Sequence, residues 1–209
     1  MPLDAPAPTG PQLSQLEQLI RPFAGARAEA VAVLLLHHFG SLRTILTASA
    51  EVLARALPDD RAVADRLAGV GHLAAAGLRE ALHGAPVRSS DADFQQYALV
   101  QLGLKREECV LVVFLDKERF YIASEMYDGA SRGACTIPVR RLVRRALEID
   151  ARRLIIAHNH LSGVTAPSQS DIAATRELGG LLGRLEIHLD DHCIATRHAI
   201  SSMRLGGLM

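Results

Sequence analysis

RLIIAHNHLSGVTAPSQSD, residues 153–171, is the stretch that decides how this chain is read. It opens on an apolar run, Leu154-Ile155-Ile156-Ala157, which predicts a buried strand over 153–160. Side chains alternate faces along a strand, so His158 and His160 project to the same side at its C-terminal end. Two imidazoles so placed can both reach one metal ion. After the turn at Ser162-Gly163, Ala166-Pro167-Ser168 leads into a helix predicted over 168–182. Ser168 suits the N-cap, and Asp171, three residues on, suits the capping-box position. The loop 161–167 can fold that first helical turn back toward the two histidines. Asp171 is then a third ligand, giving two nitrogens and one oxygen. Three protein ligands plus water is the usual open zinc site, and Zn²⁺ lowers the pKa of its bound water to about 7.

Outward from this stretch the texture stays mixed α/β. CVLVVFLD (109–116) predicts a buried strand, Lys117-Glu118 a turn, and RFYIASEMYDG (119–129) a second strand paired back on the first. Helical spacing covers 137–149, and EIHLDDHCIAT (186–196) reads as a fourth strand. Glu125 interrupts the apolar residues of the second strand, Tyr121, Ile122, Ala123 and Met126. A carboxylate there can take a proton from a water and pass it to a leaving amine. Ser168 can donate a hydrogen bond to the developing oxyanion.

The first half reads differently. Residues 1–11, MPLDAPAPTGP, predict a flexible tail, and 12–85 a small all-helical domain. Gly40 ends one helix, Ser41 caps the next, and Pro58-Asp59-Asp60 marks a break. Gly69 and Gly71 are expected at a turn between two helical stretches. Residues 84–90 look like a linker, a helix is expected from Asp91, and the α/β domain occupies 89–209.

Composition narrows the function classes. The 209 residues carry 23 basic and 23 acidic side chains, so a strong electrostatic nucleic-acid binder is disfavoured. The balance is regional as well: eight of each sign in residues 1–88 and fifteen of each in 89–209. Cys109, Cys135 and Cys193 are scattered and odd in number, which suits small buried hydrophobes in a reducing cytoplasm. The most apolar run, 28–36, is far short of the ~20 residues a membrane span needs, so no membrane association is expected.

HNHLSGVTAPSQSD (158–171) resembles the metal motif of the JAMM/MPN-plus metallopeptidases: His-x-His-Pro, six residues, Ser, two residues, Asp, with a Glu upstream. The specific resemblance is to the bacterial RadC branch. IASEMYDG looks like that family's strand bearing the catalytic Glu, and LDDHCIAT resembles its closing strand. The resemblance covers about residues 28–209. It implies an α/β, mixed-sheet MPN/JAB fold of the cytidine-deaminase-like kind behind a helical region. It further implies a zinc ion held by His158, His160 and Asp171, with Glu125 as acid/base, Ser168 as oxyanion stabiliser, and a protein or peptide substrate. The chain departs from the family at Leu161, where Pro would fix φ near −65°; the change deletes no chemical group.

Two other readings stand beside the hydrolase. Leu67-Ala68-Gly69-Val70-Gly71 looks like the turn of a helix-hairpin-helix DNA-binding element, which would make the chain a DNA-associated repair or recombination accessory. No Lys or Arg follows that turn directly. The third reading is a metal-binding domain that recognises partners without hydrolysis, favoured by Leu161. His192, after Asp190-Asp191, reads as a support for the metal ligands or as a structural residue. Arg140, Arg141, Arg144 and Arg145 share one helical face and read as a solvated surface.

Overall fold

A computed structural model describes residues 10–103, 105, 107–128 and 138–209. The chain divides into two compact units between Ala76 and Gly77, within one helix. The first unit is helical: α1 (Gly10–Ala24), a 3₁₀ turn (Gly25–Arg27), α2 (Ala28–Phe39), α3 (Leu42–Thr47), α4 (Ala50–Ala56) and the larger part of α5 (Arg61–Ala81). Leu16, Ile20, Leu35, Ile45, Leu53 and Leu67 are buried in one cluster, and their three- and four-residue steps are why these segments fold as amphipathic helices. Ser41 and Ser49 cap α3 and α4, accepting the amides of Thr44 and Val52. Of the expected tail, residues 1–9 lie outside the described residues, while Gly10 and Pro11 open α1.

The turn expected at Gly69 and Gly71 is not formed. α5 runs unbroken from Arg61 to Ala81, through both glycines. Gly71 is buried, and a Cβ added there would stand 1.8 Å from the backbone carbonyl oxygen of Leu46. Its missing side chain serves the close approach of α5 to the end of α3, not a reversal of the chain. The helix-hairpin-helix reading loses the feature that carried it. The two glycines therefore part company under mutation. Gly71→Ala should cost about 1–3 kcal/mol in urea unfolding. Gly69→Ala, with open space where the Cβ goes, should stabilise by about 0.5–1 kcal/mol. A destabilised Gly69→Ala would restore the turn.

The second unit holds α6 (Ala92–Leu102), β1 (Cys109–Leu115), β2 (Tyr121–Asp128), α7 (Val139–Glu148), β3 (Arg153–Asn159), α8 (Gln169–Gly183), β4 (His188–Ala195) and β5 (Ile200–Ser202). The strands form one mixed sheet in the order β2-β1-β3-β4-β5. β3 and β4 are parallel, joined through α8, and the other pairings are antiparallel. This is the mixed α/β architecture expected. The three-residue β5 was not foreseen. Cys135 and the start of the helix expected at Ile137 lie outside the described residues, as does Gly129.

Both faces of the sheet are covered, which is why β1 reads as an unbroken apolar run and is buried throughout. Leu111, Val113, Ile155 and Ala157 pack toward Phe94, Tyr97, Ala98 and Leu102 of α6. Val110, Val112, Leu154 and Ile156 pack toward Leu142 and Ala146 of α7 and Leu178 and Leu182 of α8. No helix among the described residues is long and apolar enough to cross a membrane.

Candidate metal centre

β3 delivers His158 on the α7/α8 face, two residues after Ile156, and it is 2% exposed. His160 follows on the same side, its ring centroid 4.8 Å from that of His158. The amide of His160 still bonds to the carbonyl of Ala195, so the end of β4 holds this position. Beyond it the chain turns through Gly163 at φ +79°, a left-handed conformation suited to glycine. Nδ1 of His160 donates to the carbonyl of Val164 at 2.9 Å, and Ser201 Oγ donates to the carbonyl of Thr165 at 2.7 Å. These contacts fix the loop in which Leu161 replaces the proline of the resembled motif; Leu161 itself points to solvent.

The loop brings the N-terminus of α8 back to the histidines. Ser168 is its N-cap, and the reciprocal capping box with Asp171 is formed. The Ser168 amide and hydroxyl donate to Asp171 Oδ2 at 2.7 and 2.6 Å. Asp171 also sits where the helix macrodipole favours negative charge. His158 Nε2 lies 3.3 Å from Asp171 Oδ1, and His160 Nε2 lies 3.3 Å from Oδ2. The ligand atoms of these three residues all fall within 4.8 Å of one another.

The chemistry of that donor set is specific. A carboxylate only accepts hydrogen bonds, and His160 spends its proton at Nδ1 on a carbonyl. In the neutral ring its Nε2 is therefore a bare lone pair. His158 Nε2 is buried and has no hydrogen-bond partner among the described residues; its approach to Asp171 lacks hydrogen-bond geometry. Electron-rich atoms thus converge on one point, an arrangement that a cation relieves. Two imidazole nitrogens and one carboxylate oxygen form a donor set that can hold a metal ion.

Glu125 is not part of this group. It stands on β2, opposite Val112 of β1, which is itself opposite Ile156 of β3. It shares the face of His158 but lies two strands away. Its carboxylate accepts from the Tyr127 hydroxyl at 2.8 Å and forms an ion pair with Arg145 Nε at 2.5 Å that lacks hydrogen-bond alignment. Burial, then the bond to Glu125, pushes the Tyr127 phenol well above its usual pKa, so it stays a donor at neutral pH. Of the four arginines expected on a solvated face, Arg140 and Arg144 are exposed, but Arg141 and Arg145 have partners on β2. Arg145 turns in to Glu125 and Arg141 lies over the Tyr127 ring at 5.2 Å, because β2 presents a carboxylate and an aromatic ring beneath α7. Thr175, on α8, was missed: a lone threonine inside a helical pattern carries no signal. It bonds His192, which in turn bonds His158. Burial, then the neighbouring His158, pushes the His192 pKa down to about 3.

A family profile described as the RadC-like JAB domain matches residues 88–208. A UPF0758 protein of Cupriavidus taiwanensis is 34% identical over 190 residues, covering 88% of this chain and 83% of the relative. A UPF0758 protein of Photobacterium profundum is 34% identical over 171 residues, 81% of this chain and 76% of the relative. One of Vibrio vulnificus is 32% identical over 200 residues, 93% of this chain and 89% of the relative.

Proposed function

The chain belongs to the RadC-like JAB family, and from that premise we propose that it is a zinc-dependent hydrolase of amide or isopeptide bonds. The observation that carries the reading is the convergence of His158 Nε2, His160 Nε2 and an Asp171 carboxylate oxygen on one point. Those three residues would hold the metal. Bound zinc supplies a Lewis acid for the scissile carbonyl and a more acidic water.

The chain's own residues supply the rest. Glu125 takes a proton from the attacking water and returns it to the leaving nitrogen. Tyr127 and Arg145 orient its carboxylate on the α7 face. The Ser168 hydroxyl donates to Asp171 and holds the ligand in place; turned outward, the same hydroxyl can donate to the oxyanion.

The test is Glu125→Gln incubated beside wild type with a pool of peptides and branched isopeptides, with cleavage read by mass spectrometry. The variant should keep its zinc and lose about 10²- to 10⁴-fold in cleavage rate. Cleavage undiminished in the variant removes Glu125 from the mechanism. A zinc-loaded wild type that cleaves nothing in the pool supports the non-catalytic reading instead.

A further inference from the structure

We propose that His192 and Thr175 are positioning residues: together they fix the tautomer of His158 so that its Nε2 lone pair faces the metal position. The functional consequence rests on the zinc reading above, whereas the geometry does not. The chain of bonds has a direction. Thr175 Oγ1 stands 2.6 Å from the backbone carbonyl of Asp171, which can only accept, so the hydroxyl hydrogen lies there. The other acceptor within reach, Met203 Sδ, is weak and 3.7 Å away. With its hydrogen committed, the hydroxyl accepts from His192 Nδ1 at 2.6 Å. A neutral imidazole has one donor and one acceptor, so His192 Nε2 accepts from His158 Nδ1 at 2.8 Å. His158 is left with a bare Nε2, and that is the buried atom without a hydrogen-bond partner.

The reverse direction fails twice. It leaves two oxygens 2.6 Å apart with no hydrogen between them, and it requires an Nε2–H bond to Asp171 whose geometry is absent. The relay also closes on itself. It begins at Nε2 of His158, opposite the Asp171 carboxylate, and ends on the Asp171 backbone carbonyl. β3, β4 and α8 are thus joined around one ligand set. A ligand imidazole whose other nitrogen donates to a fixed acceptor is held in the right tautomer and orientation, and losing such a partner typically costs 10- to 100-fold in metal affinity.

Two measurements test this. The first uses metal-free wild type: imidazole ¹⁵N shifts at neutral pH should show His158 protonated on Nδ1. Protonation on Nε2 overturns the proposal whatever the metal affinity. The second is zinc affinity by chelator competition. His192→Phe keeps the ring size and removes the acceptor, and it should weaken zinc binding roughly 10- to 100-fold. His192→Gln, whose amide oxygen reaches the position of Nε2, should recover most of that loss. Thr175→Val should weaken binding in the same direction and provides the comparison if the Phe variant does not fold. Affinity unchanged in His192→Phe and in Thr175→Val overturns the proposal. Equal losses in Phe and Gln variants also overturn it, since that pattern belongs to packing. A wild type that takes up no zinc defeats the zinc reading instead, and the ¹⁵N shifts then decide the relay alone.

Discussion

Saturating zinc added to the metal-free chain is expected to raise the Tm of the C-terminal unit, and the His158→Ala/His160→Ala double variant is expected not to respond. A ligand that binds only the folded state stabilises it by RT ln(1 + [L]/Kd), which is about 2.7 kcal/mol at one hundred times Kd. For chains of this length each kcal/mol moves Tm by about 2–4 °C, so the shift should be roughly 5–10 °C. The physical source is local. Without a cation, two imidazole lone pairs face a carboxylate across a partly buried gap. With one, the three residues attract the same charge, and the N-terminus of α8 is tied to the end of β3. A chelator should reverse the shift in wild type. An equal shift in the double variant would place the ion elsewhere.

Asp191→Ala is expected to be the most destabilising single substitution near the centre, although it touches no ligand directly. Asp191 is 1% exposed. Its Oδ1 accepts the amides of His192 at 2.7 Å and Arg204 at 3.0 Å. Its Oδ2 accepts the hydroxyls of Ser89 at 2.5 Å and of Ser202. One carboxylate thus joins the segment before α6, β4, β5 and the turn after β5. Alanine would leave four donors without their acceptor, one buried and three partly buried, and an unsatisfied buried donor costs about 1–3 kcal/mol. Asp191→Asn keeps one carbonyl oxygen and should lose less. Urea unfolding followed by circular dichroism measures both. A loss below about 1 kcal/mol for the alanine variant would mean that the donors find other partners.

The convergence of His158, His160 and Asp171 was legible because it is local: two residues on one strand face and one on the following helical turn, with the cap written into the same fourteen residues. Strand alternation and capping chemistry act over a few residues, so spacing alone carries them. The four principal strands were legible for the same reason. Glu125 was legible as a carboxylate among apolar neighbours, but its ion pair with Arg145 joins β2 to α7, and pairing across elements leaves no mark in spacing. Thr175 and the role of His192 depend on how α8 settles on β4, again a long-range fact. Gly71 misled for a related reason. Two close glycines signal a turn locally, whereas the cause of Gly71 is the backbone of Leu46, twenty-five residues away. The three-residue β5 is too short to show a period and is defined by its pairing with β4.

The most direct test of the central claim is the metal content of the purified chain by mass spectrometry, for wild type and for the His158→Ala/His160→Ala double variant side by side. The arrangement of His158, His160 and Asp171 predicts close to one zinc per chain in wild type and none in the variant. Equal zinc in the two, or none in wild type after purification without chelator, would contradict it.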